Sequence, residues 1–198
     1  MSNRLHRATF PSRRPAGCRY AMRAFTLFEL MVVLSIAAIL ATLAVPAMRN
    51  FLQSQQSLSA SSQIMSSLNY ARSEAIKEDL NVTAAIGVRI CASSNELTCD
   101  PAGNWNNGWI VLSSMSATPL AAYGALQTGL TLTTVPATPE VDFQPNGMTT
   151  LAALVEFKLC DSRGATYARD VEIDLTGRIQ AASKVGYDVT GTTALVCP

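Results

Sequence analysis

Residues 25–47 form a run of 23 predominantly apolar residues with one charged side chain, Glu29, inside it. As a helix the run is about 35 Å long, enough to cross a bilayer. Six arginines precede it (Arg4, Arg7, Arg13, Arg14, Arg19 and Arg23), and residues 1–24 hold no acid. A secretory signal would have a shorter apolar region followed by a small-x-small cleavage box, and none follows here. Glu29 is the anomaly. An unpaired carboxylate in hydrocarbon costs about 3 kcal/mol on insertion scales, so it needs a partner or a place near the interface. An ordinary signal anchor with a stray Glu is the plainer alternative.

Charge and cysteine usage divide the chain at the same place. The part from residue 25 onward keeps nine Lys+Arg against fourteen Asp+Glu, a net charge of −5, so the overall balance of +1 averages two unlike pieces. Arginines on the N-terminal side place that end in the cytoplasm and send the C-terminal part outward. Cys18 lies in the basic segment, while Cys91, Cys99, Cys160 and Cys197 lie in the exported part. An even number in an oxidising compartment reads as disulfides, with three pairings open. The favoured one is Cys91–Cys99, closing a short local loop, with Cys160–Cys197 tying down the tail. Zinc is the weaker alternative, because no C-x-x-C knuckles occur and the one histidine is His6.

The texture changes along the chain. After Pro46 a helical pattern continues, with Phe51, Leu58, Met65 and Leu68 joined by Leu52, Ile64, Ala71, Ala75 and Ile76 at spacings of three, four and seven. Helix is predicted to about Asp79, and the stripe suits either the protein's own sheet or neighbouring helices. From Asn81 onward short β-like runs are predicted at 82–91, 109–112, 130–135, 141–144, 154–160, 171–175 and 178–181. Asn107-Gly108, Pro145-Asn146-Gly147, Arg163-Gly164 and Thr176-Gly177 mark turns between them. The expected class is α+β, with segments 1–24 (basic leader), 25–47 (membrane half of the helix), 48–79 (amphipathic half) and 80–198 (one β-rich domain).

The motif Phe25-Thr26-Leu27-x-Glu29, with its basic leader and Pro46 downstream, resembles the processing site of type IV prepilins and pseudopilins. The resemblance implies cleavage between Ala24 and Phe25 by a prepilin peptidase, methylation of the new Phe25 amino group, and a helix that enters a filament core. That family has Gly before the cut, where this chain has Ala24. It further implies a single-pass protein of the bacterial inner membrane with a periplasmic C-terminal domain. Glu29 and Pro46 would then serve assembly, Glu29 by pairing with the Phe25 amino group of an adjacent subunit. A Glu29 that merely reaches headgroups is the alternative.

Further motifs narrow the resemblance. Tyr70-Ala71-Arg72-Ser73-Glu74-Ala75-Ile76 is similar to a helix-end segment of the FimT/GspH family of minor pilins and pseudopilins. The order Val88-Arg89-Ile90-Cys91, Cys99, Trp105, Gly108-Trp109, Leu159-Cys160-Asp161-x-Arg163-Gly164 and Thr176-Gly177-Arg178 extends it over most of the chain from Phe25. The implied fold is type IV pilin-like, a long N-terminal helix packed on antiparallel β-sheet. The implied partners are other pilin or pseudopilin subunits of a type IV pilus or a type II secretion pseudopilus.

Enzyme chemistry finds little support. Without histidine beyond residue 24 the chain lacks the commonest general base, and it has neither a glycine-rich phosphate loop nor a carboxylate cluster at metal-loop spacing. No cofactor or metal is expected. Residues 100–108 are rich in oxygen ligands, but a turn-rich loop explains them better than calcium. Trp105 and Trp109 are expected to pack over the sheet edge, with stacking on a nucleic-acid base or binding a partner as the alternative. Some FimT proteins are DNA-binding minor pilins with a Gly-Arg-x-Arg motif; this chain reads Gly177-Arg178-Ile179-Gln180. A DNA receptor using Arg178, with Arg163, Arg169 and Lys184, is therefore the second functional reading. A three-residue loop at 175–177 would set Ile173 against Ile179, Glu172 against Gln180 and Asp174 against Arg178 as an ion-pair partner.

Overall fold

The computed structural model describes residues 25–77, 87–114, 116 and 118–198. Ala24, Cys18 and the leader lie outside the described residues, as do the expected helix end at 78–79 and the first part of the strand predicted at 82–91. Helix α1 (Leu27–Lys77) is 51 residues long, with Pro46 inside it. By compactness the chain divides into a unit ending at Val45 and a second unit, Pro46–Pro198.

The first unit is the opening half of α1. Thr26 caps it: its hydroxyl accepts the Glu29 amide at 3.2 Å, and its carbonyl accepts the Leu30 amide at 3.1 Å. This is an N-cap bond from Thr26 to the third helical residue, so Thr26 starts the helix as well as belonging to the motif. Ser35 and Thr42 return their hydroxyls to the carbonyls of Val32 and Ile39. The hydroxyls of Ser35 and Thr42 are thus satisfied within the helix.

In the second unit the buried positions of α1 are Ser57, Ala60, Ser61, Ile64, Ser67, Leu68, Ala71 and Ala75, at helical spacing. The predicted stripe therefore divides. Ile64, Leu68, Ala71 and Ala75 face the core, whereas Phe51, Leu52, Leu58 and Ile76 are exposed. Small Ser and Ala side chains fill much of the inner face beside Ile64 and Leu68. Ser57, Ser61 and Ser67 read as polar but line the inner face.

The expected antiparallel β-domain is built as two four-stranded sheets. The first has the order β3 (Pro119–Tyr123), β2 (Trp109–Ser113), β1 (Val88–Ala92), β5 (Glu140–Phe143). The second has the order β4 (Leu130–Val135), β6 (Val155–Asp161), β7 (Arg169–Ile173), β8 (Ile179–Ala181). β3 was not predicted: Pro119-Leu120-Ala121-Ala122 is poor in β-branched residues and forms an edge strand, where such residues are tolerated. β7 begins two residues earlier than the predicted run.

One core joins the inner stripe of α1 to both sheets, through Ile90, Trp109, Phe143, Phe157, Leu159 and Ile173 among others. Trp109 is fully buried and donates its indole N–H to the Ser67 hydroxyl at 2.9 Å. Trp105 sets its edge against Phe157 at 5.1 Å between ring centroids and donates to the Thr138 carbonyl at 2.8 Å. Both indoles are thereby packed and satisfied. Cys91 is joined to Cys99 and Cys160 to Cys197. The second bond holds the C-terminal tail over the outer face of the second sheet, where Leu195 packs on Cys160 and Ala168.

Candidate functional site

Phe25 is 78% exposed immediately before the cap, and Glu29 lies in the first turn of α1, also exposed. From Phe25 to Met48 every described large apolar side chain is exposed. The oxygen-rich loop 100–108 uses its ligands internally: Asp100 accepts the Ala102 amide, Asn104 accepts from Asn106, and Asn106 accepts the Leu132 amide.

The four candidate cations fall into different settings. Arg163 is committed to the fold. Its guanidinium binds the Asp161 carboxylate and donates to the Asn50 carbonyl at 3.0 Å and the Ser54 hydroxyl at 2.8 Å. It also lies 4.2 Å from the Tyr167 ring centroid. Burial pushes the Asp161 carboxyl up, but the hydrogen bonds and charge of Arg163 outweigh that and hold it below its ordinary value.

Arg169 is the contrasting case. Its Nε is buried and has no hydrogen-bond partner. Burial, with the charge of Arg163 next, pushes its pKa down, and Asp161 opposes. Arg163 and Arg169 meet in a cleft of about 290 Å³ lined also by Ser54, Thr166, Tyr167 and Val185. Lys184 is exposed, with its ammonium 3.4 Å from the Tyr187 ring centroid.

Arg178 stands apart. β7 runs from Arg169 to Ile173 before the turn, so Arg178, opposite Asp174, lies about 17 Å along the ladder from Arg169 at 3.3 Å per residue. The register is the one the turn residues imply, with Ile173 against Ile179, Glu172 against Gln180 and Gly177 at φ 76°. The expected Asp174–Arg178 ion pair is not formed. Asp174 Oδ1 instead accepts the Thr176 amide, the Thr176 hydroxyl and the Arg178 amide. The Thr176 hydroxyl chiefly holds the Asp174 carboxyl below its ordinary pKa. The Arg178 guanidinium turns to Gln180 Oε1, at 2.7 Å.

Two residues carry roles that sequence reasoning did not assign. Arg72 donates Nε to the Gly147 carbonyl at 3.0 Å and Nη2 to the Thr176 carbonyl at 3.2 Å, clasping two distant turns to α1. Its place in the helix-end motif was the available signal. Asp170, on the outer face of β7, is buried with neither carboxylate oxygen hydrogen-bonded. Burial, then Glu156 and Glu172, push its pKa up to about 7, against the pull of Lys158. The predicted strand began beyond it, so its register against Lys158 was not visible.

A long N-terminal helix packed through its later half on antiparallel sheets, with an apolar opening half and a capped Phe-Thr-Leu-x-Glu start, defines the pilin-like class of filament subunits. The chain belongs to the GspH family, described as type II transport protein GspH, whose family model matches residues 60–177. The prokaryotic N-terminal methylation motif matches residues 19–45. Two crystal forms of the type IV minor pilin FimU of Pseudomonas aeruginosa are similar to it. One shows 27% identity over 66% of this chain and 90% of that one, with a TM-score of 0.51. The other shows 26% identity over 65% and 95%, also with a TM-score of 0.51. No curated protein matches the sequence. Family and fold are those of structural pilin subunits, not of enzymes.

Proposed function

We propose that this protein is a minor pilin or pseudopilin, cleaved by a prepilin peptidase between Ala24 and Phe25 and methylated on Phe25. The opening half of α1 holds it in the inner membrane with the β-domain in the periplasm. It then assembles with other subunits into a type IV pilus or a type II secretion pseudopilus. The observation that carries this reading is that every described large apolar side chain from Phe25 to Leu52 is exposed, on a capped helix whose later half buries its inner stripe in its own domain. Such a surface is stable only in lipid or among other apolar helices.

Glu29 supplies the assembly step. Its backbone is satisfied by Thr26, which leaves the carboxylate to find a cation. The charged amino group of a processed Phe25 on a neighbouring subunit offsets its desolvation and fixes axial register. Glu29→Ala is expected to be cleaved and inserted normally and yet be missing from sheared filaments. Normal incorporation of Glu29→Ala would sink the pairing.

A further inference from the structure

We propose that the C-terminal tail, residues 182–197, is a pH-sensitive latch over the outer face of the second sheet, closed while Asp170 is protonated and loosened when it ionises.

The tail meets that face on both sides of Asp170. Val171 and Ile173 point into the core, so Asp170 and Glu172 of β7 point outward. On one side Gly186 donates its amide to the Ala168 carbonyl at 2.8 Å. Leu195, whose amide is bonded to the Gly186 carbonyl at 2.9 Å, packs there on Ala168 and Cys160. On the other side the Val189 amide reaches the Glu172 carboxylate at 3.4 Å. Ala182 donates to the Asp170 carbonyl at 2.9 Å, and the far end is fixed by the Cys160–Cys197 bond. Between these anchors Leu195 is the one buried side chain of the tail. A stretch with so little buried apolar area opens locally at a fraction of the cost of unfolding the domain.

Asp170 supplies the sensitivity. It is 1% exposed and neither carboxylate oxygen has a hydrogen-bond partner, so its ionised form beneath a closed tail is an uncompensated buried charge. The cation opposite it on β6, Lys158, is bonded to Glu156 at 2.7 Å, while Glu156 and Glu172 add like charge. β8 sets the uncharged Gln180 against Glu172. The tail brings Lys184, which rests on the Tyr187 ring, and Asp188. Desolvation opposes the Asp188 charge, but hydrogen bonds from Thr190, Thr193 and Thr192 hold that carboxyl below its ordinary value, so it stays ionised from pH 5 to pH 7. Asp170, pushed up to about 7 chiefly by burial, changes charge across that window. An open tail lets water reach the carboxylate, which then ionises at its ordinary value of 3.8. Closure is therefore favoured fully below about pH 4, weakens as pH rises and levels off above about 7. Opening uncovers Glu156, Asp170 and Glu172 as an acidic strip, so the domain presents different outer surfaces in acid and at neutral pH.

The test is hydrogen exchange of the full chain in detergent micelles at pH 5 and pH 7, with rates corrected for the direct effect of pH on amide exchange. Protection of the Gly186 and Leu195 amides is expected to fall about tenfold or more over that interval. At pH 7 it should lie well below that of the β1 amides at the centre of the first sheet. Asp170→Asn should remove the fall and keep the tail closed at pH 7. Asp188→Asn, which retains the acceptor oxygen, should preserve the fall. Constant protection in the unaltered chain overturns the latch, as does a fall that persists in Asp170→Asn or disappears in Asp188→Asn. Equal protection of tail and β1 amides at pH 7 would mean that the face opens only when the domain unfolds, and overturns it too.

Discussion

Asp170 is 1% exposed, with Glu156 and Glu172 as like-charged neighbours and Lys158 opposite it on β6. A carboxyl whose folded pKa is about 7, against an ordinary value of 3.8, favours the folded state fully only while both states hold the proton. As pH rises past about 4 the unfolded chain loses its proton first, and stability falls until the folded carboxyl ionises near 7. The loss is on the order of a few kcal/mol. Asp170→Asn is therefore expected to flatten urea stability between about pH 4 and pH 7 and to raise it at the upper end. An unchanged pH profile in that variant would show that Asp170 is not the titrating group. At the same scale the sequence showed Arg178 lacking a second arginine beside it. It did not show that Arg163 is committed, because the Asn50 carbonyl lies 113 positions away.

The β7–β8 hairpin and α1 are linked at Gly177. A Cβ there would stand 2.1 Å from the Gly147 carbonyl oxygen and 3.1 Å from Arg72 Nε, at a φ of 76°. Gly129 has a φ of 93° with nothing within 4 Å of its Cβ position. Gly129→Ala isolates the backbone term, about 1–2 kcal/mol for a left-handed residue. Gly177→Ala is expected to cost clearly more in denaturant midpoints, because it also dislodges the carbonyl that Arg72 holds. Equal losses would mean that the clasp yields without strain. The hairpin register was legible because a glycine turn and two facing isoleucines leave one alignment with the apolar side inward. The edge strand β3 and the split into two sheets were not, since both depend on pairings between distant segments. The helix face was half legible. Spacing marked Phe51 and Leu58 in a stripe suited to the sheet or to neighbouring helices, whereas the fold buries serine and alanine positions beside Ile64 and Leu68.

For the whole molecule the two units have opposite solvent preferences. A truncated chain beginning at Gln53 keeps the inner stripe, both sheets and both disulfides and loses most of the exposed apolar surface. It is expected to be soluble and monomeric without detergent, whereas the full chain requires it. Aggregation of the truncated chain in sedimentation runs would place the apolar liability in the domain itself. The same soluble form tests the nucleic-acid alternative. Arg163 is internally paired and Arg178 lies far along the ladder from Arg169, so no gel retardation of duplex DNA is expected at low micromolar protein and low salt. Retardation that vanishes in Arg178→Ala would restore the receptor reading.

By itself the sequence determined the membrane-length run, the Phe25-Thr26-Leu27-x-Glu29 motif at its start, the acidic balance beyond it and the turn at Gly177. Each is a property of neighbouring residues, set by helix rise and backbone freedom. Only the tertiary structure decided which charges are open. Whether an arginine meets a carboxylate, a carbonyl or nothing depends on segments brought together from a hundred residues apart. That is how Arg163 came to be a strut, Arg72 a clasp, and Arg169 a buried donor without an acceptor.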